Sequence, residues 1–290
     1  MNEEPEITLN SSDEQKKDFS NIKHANKNLL IILLIFFSGS IITGIIVLTL
    51  NNKLLPYVAG AIELLFMLVP TLLLSKSSPL KFKTLFRLET MPQVKQTVIA
   101  IIGLVAFIVF EGAYLVVQEA LIPASLMCFY KNLEKTIEDT YLQILGGSGW
   151  LQAMRALLIG ALIPALSEES LFRGFYQRSL EEEMKPLKAI FITGIIFAII
   201  HTNPIGIVPL IVIGIYLGII AYSTQSLLLP MLIHFLLNAF TIFVIFIPTL
   251  SGIDEKSFRM NLGTSIIICI VSFSIIFFVS VMMFRSVKKE

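Results

Sequence analysis

Long apolar runs alternate with short polar segments along the chain. The runs are Leu29–Leu50, Leu54–Ser75, Val98–Gln118, Trp150–Phe172, Ala189–His201, Ile205–Tyr222, Leu227–Leu250 and Ser265–Phe284. A helix needs roughly 20 apolar residues to cross the ~30 Å hydrocarbon core of a bilayer. Ala189–His201 supplies only ~20 Å of helix and is short enough to end inside the bilayer. The ten-residue alternating segments of a β-barrel are absent. The pattern predicts an all-α, polytopic membrane protein with about eight transmembrane helices.

Composition agrees with the pattern. Of 290 residues, 55% are hydrophobic and 15% charged, with a mean hydropathy of +0.81. Soluble domains carry about 25% charged residues, so a soluble enzyme is excluded. A net charge of +1 offers no basic field for nucleic acid. Cys128 and Cys269 stand far apart in unrelated segments, which argues against a disulfide scaffold or a zinc knot.

Lys and Arg in the short loops orient the spans. With the N-terminus inside, the cytoplasmic segments collect Lys16, Lys17, Lys23 and Lys27, Lys76 to Lys95, Arg173 to Lys188, and Arg285, Lys288 and Lys289. The outer loops hold only Lys53, Lys131, Lys135, Lys256 and Arg259. Both termini are therefore expected in the cytoplasm. Residues 1–28, polar and mixed in charge, read as a disordered tail. Residues 29–123 hold the first three spans, with a cytoplasmic connector at 76–97. Within it, Pro79–Leu88 suits either the inner membrane surface or a solvated link. An outer loop at 124–149 contains a polar helix candidate, Lys131–Leu145. A core at 150–250 and a final span with a basic C-terminus at 251–290 complete the division.

Charges inside a membrane are costly, about 2.5–3.5 kcal/mol each at mid-helix on the insertion scale. Three spans nevertheless carry polar clusters: Glu168-Glu169 with Arg173, Phe197 with His201, and His234 with Asn238. Glu169 and Arg173 are four residues apart and can pair on one helix face, which turns Glu168 about 100° away. His234 and Asn238 share a face by the same spacing. Helix rises place Glu168, His201 and His234 at overlapping depths, so a shared polar cavity inside the membrane is geometrically allowed. Glu63 and Glu111 are also buried by position, with a structural or cavity-lining role expected.

A carboxylate, two imidazoles and a carboxamide in a dry site suit peptide hydrolysis. A desolvated glutamate can take a proton from water and return it, and His or Asn can donate to a tetrahedral oxyanion. Glu168, His201 and His234 also make up a zinc ligand set on composition alone, although no HExxH helix is present. Helix–helix glue is the plain alternative for a lone His or Asn. Ser167 and Ser170 flank the glutamates, but the Gly-x-Ser-x-Gly turn of serine hydrolases is missing.

At these residues the sequence resembles the CAAX protease and bacteriocin-processing family (CPBP, or Abi) of intramembrane proteases. That family's motifs are Glu-Glu-x-x-x-Arg, Phe-x-x-x-His and His-x-x-x-Asn. Here they stand as Glu168-Glu169…Arg173, Phe197…His201 and His234…Asn238, in family order. The resemblance covers about residues 150–242. It implies an eight-span core whose cavity reaches the cytoplasmic side. It further implies that Glu168 with His201 activates water, that His234 with Asn238 stabilises the oxyanion, and that Glu169 and Arg173 orient the site. The substrate would be a membrane-associated peptide or protein, with no cofactor favoured and zinc as the alternative. The alternative function is a non-proteolytic bacteriocin-immunity or scaffold protein. The Lys-rich, Arg-poor composition suits a low-GC bacterium, and with the apolar spans the expected location is a bacterial plasma membrane.

Overall fold

The structure, a computed structural model, describes residues 11–50, 54–251 and 261–287, with side chains over 22–45, 54–246 and 261–287. The polar stretch 1–10, the outer-loop cations Lys53, Lys256 and Arg259, and Lys288 and Lys289 lie outside the described residues. The described residues are helical without a strand. In chain order the helices are α1 (Ser11–Leu50), α2 (Leu55–Ser77), α3 (Val94–Leu121), α4 (Ala124–Leu145), α5 (Trp150–Glu181), α6 (Pro186–Ile200), α7 (Ile207–Thr224), α8 (Leu228–Ser251) and α9 (Leu262–Ser286). Seven are long and apolar enough to span a bilayer among the described residues, and α6 is a shorter apolar helix. The eight expected runs are thus seven full spans and one short one.

One expectation is corrected. Residues 22–28 are not a free tail, because they belong to α1 and are docked on the bundle. The Tyr176 hydroxyl donates to Asn26 Oδ1 at 2.8 Å, Asn28 Nδ2 donates to Ser77 Oγ at 2.9 Å, and Ala25 is buried. Polar composition mimicked disorder, while the partners lay far along the chain. In the connector Leu85, Phe86 and Arg87 are buried while Lys81, Phe82, Lys83 and Leu88 are exposed, and the Arg87 guanidinium pairs with Glu181. Burial lowers the Arg87 pKa, and Glu181 opposes that shift.

α7 is the most enclosed span, with 61% of its apolar window buried against 22–39% for the others. It crosses α6 at Gly194 and Gly214, where a Cβ on Gly214 would sit 2.8 Å from the Gly194 carbonyl oxygen. Small residues let membrane helices meet backbone to backbone. On its other side α6 exposes Leu187, Phe191, Ile195 and Ile199, a four-residue stripe facing lipid. α3 runs along α9, where the Phe110 and Phe273 rings meet at a tilt with centroids 5.7 Å apart.

Wide, π-helical turns interrupt the helices that carry charge. Glu63–Leu68 precedes Pro70, and Leu158–Leu162 precedes Pro164. A proline clashes with the carbonyl four residues back, and a widened turn relieves that clash. Val69 and Ile163 accordingly donate to the carbonyls five residues back, Leu64 and Leu158. A third wide turn, Ser170–Tyr176, has no proline and starts directly after Glu169.

The bundle has two distinct ends. The start of α1, the 76–88 connector and the α5–α6 and α7–α8 turns meet at one, tied by Tyr176–Asn26, Arg87–Glu181 and the Leu227 N–H to the Arg87 carbonyl. At the other, α4 packs on the start of α2 and of α5. Gly147 and Gly149, with φ of 150° and 88°, make the turn from α4 into α5, a conformation that side chains rarely adopt.

Candidate active site

All three motif pairs converge. Glu169 and Arg173 pair one turn apart, with Arg173 Nη1 donating to Glu169 Oε1 at 2.8 Å and both side chains fully buried. The same oxygen accepts from His234 Nδ1 at 2.8 Å. Arg173 Nη2 donates to the Gly214 carbonyl at 2.9 Å, which the close α6–α7 crossing leaves within reach. The guanidinium also lies 4.4 Å from the centre of the Phe197 ring. Charge-assisted hydrogen bonds of this kind are about twice as strong as neutral ones. Glu169 and Arg173 therefore fasten α5 to α7 and α8.

Glu168 points elsewhere, as helical spacing requires. It lines a cavity of about 510 Å³ together with His201, His234, Asn238, Glu63 and Glu111. His201 Nε2 lies 3.5 Å from Glu168 Oε2, a separation too long for a direct hydrogen bond. That oxygen is buried and without a hydrogen-bond partner among the described residues. His201 Nδ1 meets the Phe197 carbonyl at 2.6 Å. A carbonyl can only accept, so Nδ1 carries the proton and Nε2 offers its lone pair to Glu168 in the neutral ring. Two acceptors thus face each other across the gap. Thr202, next to His201, has φ of 48°, an uncommon conformation for a β-branched residue and a mark of local strain beside the site.

Phe197 walls the site, with ring centroids 4.5 Å from His201, 6.0 Å from His234 and 5.3 Å from Phe172. Asn238 lines the cavity one turn beyond His234. Ser167 and Ser170 are buried outside the cavity lining, so serine chemistry has no nucleophile there. A zinc ion needs three converging protein donors. Among the described residues no three His, Cys, Asp or Glu side chains form such a group. The donors do not fit a metal.

Several lining residues carried no motif. Thr140 and Tyr141 enter from α4, and Asn203 and Gly206 from the turn after α6. The Tyr141 phenol pKa is raised by burial, then by the charges of Glu168 and Glu111. Their presence sets the direction of the cavity. The cavity runs from Glu168 and His234 toward the α4 end, opposite the end where the first turns of α1 and the last of α9 lie. Cytoplasmic termini and a cavity reaching the cytoplasmic side are therefore incompatible. Arg173 also leaves the tally of loop cations, because it is fully buried in the site.

This is an integral membrane protein with a polar site enclosed by α5, α6 and α8. Residues 150–240 match the family described as Rce1-like, type II CAAX prenyl endopeptidase Rce1-like. The matched segment contains every residue of the three motifs, and it is similar to a family of proteases. No curated protein and no solved structure matches the chain.

Proposed function

We propose that this protein is an intramembrane endopeptidase that hydrolyses a peptide bond of a membrane-associated peptide or protein with a glutamate- and histidine-activated water. The observation that carries this reading is the 3.5 Å gap between Glu168 Oε2 and His201 Nε2, two acceptors at the wall of a cavity. A water donating one proton to each keeps its lone pairs free for attack. Glu168 takes the proton as the oxygen adds to the carbonyl carbon, and returns it to the leaving amine as the C–N bond breaks.

The oxyanion falls to His234 and Asn238. His234 Nδ1–H donates to Glu169, so donation from Nε2 requires a ring carrying both protons, with the Glu169 carboxylate shared between that ring and Arg173. The Asn238 amide adds a neutral donor from the next turn. Glu169 and Arg173 hold the histidine without touching the substrate.

The distribution of Lys and Arg supports cytoplasmic termini in a bacterial plasma membrane. In that orientation the cavity leans toward the outer half of the bilayer. The test compares peptide termini in membranes from cells carrying wild-type or Glu168→Gln protein at equal accumulation, by mass spectrometry. New termini only in the wild type are expected. The same termini from Glu168→Gln would overturn the reading. So would their absence in both where Glu168→Gln retains the cellular phenotype, which would favour the immunity or scaffold role.

A further inference from the structure

Three carboxylates from three helices face the cavity: Glu63 on α2, Glu111 on α3 and Glu168 on α5. No lysine or arginine is among its lining residues. Elsewhere in the bundle the buried guanidiniums have carboxylate partners, Arg173 with Glu169 and Arg87 with Glu181. No ion pair reaches Glu63 or Glu111 among the described residues. Glu63 Oε2 and Glu168 Oε2 are buried and lack a hydrogen-bond partner among the described residues, and Glu168 as a whole is only 8% exposed. Carboxylates held in a membrane at such cost mark a function and call for a partner. Catalysis by Glu168 uses one of the three and leaves two unassigned.

Much of the remaining wall is apolar, including Phe107, Ile159, Ile213 and Leu217. At about 510 Å³ the cavity falls within the range that admits a ligand. An apolar wall ending in acidic groups is complementary to a long aliphatic stem with a cationic head. We propose that Glu63 and Glu111 form a subsite that receives a lysine or arginine side chain of an otherwise apolar, membrane-associated peptide. The charge missing from the protein is supplied by the guest. The subsite shares its cavity with Glu168, so the cation fixes the peptide's register against the hydrolytic water. This deepens the endopeptidase reading and rests on it for the guest being a substrate.

The test uses binding first and cleavage second. Full-length Glu168→Gln protein in lipid nanodiscs is immobilised and given a pool of short apolar peptides that differ only in one central residue: lysine, arginine, norleucine or glutamate. Retention of the lysine and arginine peptides about tenfold or more above norleucine is expected. Glu63→Gln and Glu111→Gln, separately and together, should erase the preference, and Glu111→Lys should turn it toward the glutamate peptide. Equal retention, no retention, or a preference that survives the double substitution overturns the subsite. The same peptides are then offered to wild-type protein. Cationic peptides that bind with this preference but are never cut would sink the endopeptidase reading and leave the subsite standing. Cutting without charge preference would do the reverse.

Discussion

His234 Nδ1 lies 2.8 Å from Glu169 Oε1, a bond between residues 65 positions apart in the chain. It joins α8 to α5 through an oxygen that also holds Arg173. Removing the carboxylate leaves a fully buried guanidinium without its counter-charge. Glu169→Gln should therefore cost about 3–5 kcal/mol of stability. Thermal unfolding in detergent measures the loss, and a variant as stable as the parent would show that Glu169 is not a fastener.

The two histidines should separate by stability. The His201 side chain is 25% exposed, and its Nδ1 bond stays within its own helix. His201→Ala should abolish cleavage while leaving the melting temperature nearly unchanged. The His234 side chain is 6% exposed and anchored across helices, so His234→Ala should abolish cleavage and also cost about 1–3 kcal/mol. Equal stability of the two variants contradicts this division.

A water activated by Glu168 and His201 without a metal predicts indifference to chelators. Purified protein should keep its activity after exhaustive chelation, and elemental analysis should find well under one metal per chain. Asn238→Asp should slow turnover, because a carboxylate repels the developing oxyanion. Activity lost on chelation and restored by zinc alone would establish the metalloprotease instead.

The backbone contact between α6 and α7 has no room for a side chain. Gly214→Val should force the helices apart, at a cost of about 1–3 kcal/mol, and disturb the carbonyl that holds Arg173. Yield and cleavage should fall together; a stable, active variant would mean that the crossing tolerates separation.

Orientation has a built-in reporter. Cys128 is exposed on α4, at the cavity end of the bundle. With cytoplasmic termini, a membrane-impermeant maleimide should label intact cells at Cys128 and fail on Cys128→Ser. Labelling only after permeabilisation would invert the topology.

Much of the site is legible in one dimension because its parts repeat at helical spacing. Glu169–Arg173, Phe197–His201 and His234–Asn238 each lie one turn apart, and spacing alone places each pair on one face. Links between helices left no such trace. Nothing near Glu169 signals His234, and nothing near Arg173 signals the Gly214 carbonyl. Tyr141 was hidden for another reason: α4 is too polar to read as a span, so its outer-loop placement disguised a cavity wall. Residues 22–28 misled because a polar helical segment that docks by a few hydrogen bonds has the composition of a tail.

The lipid-facing stripe of α6 sets a condition on the bilayer itself. Fifteen residues rise ~22 Å, well short of the ~30 Å hydrocarbon layer. Acyl chains beside α6 must compress to match it, and the interface dips toward His201. A guest helix lying in that dimple has fewer turns clad in hydrocarbon and more of its amides within reach of water. On the endopeptidase reading, such a guest would fray there into the extended strand that hydrolysis requires, and the thinned lipid would favour that unwinding.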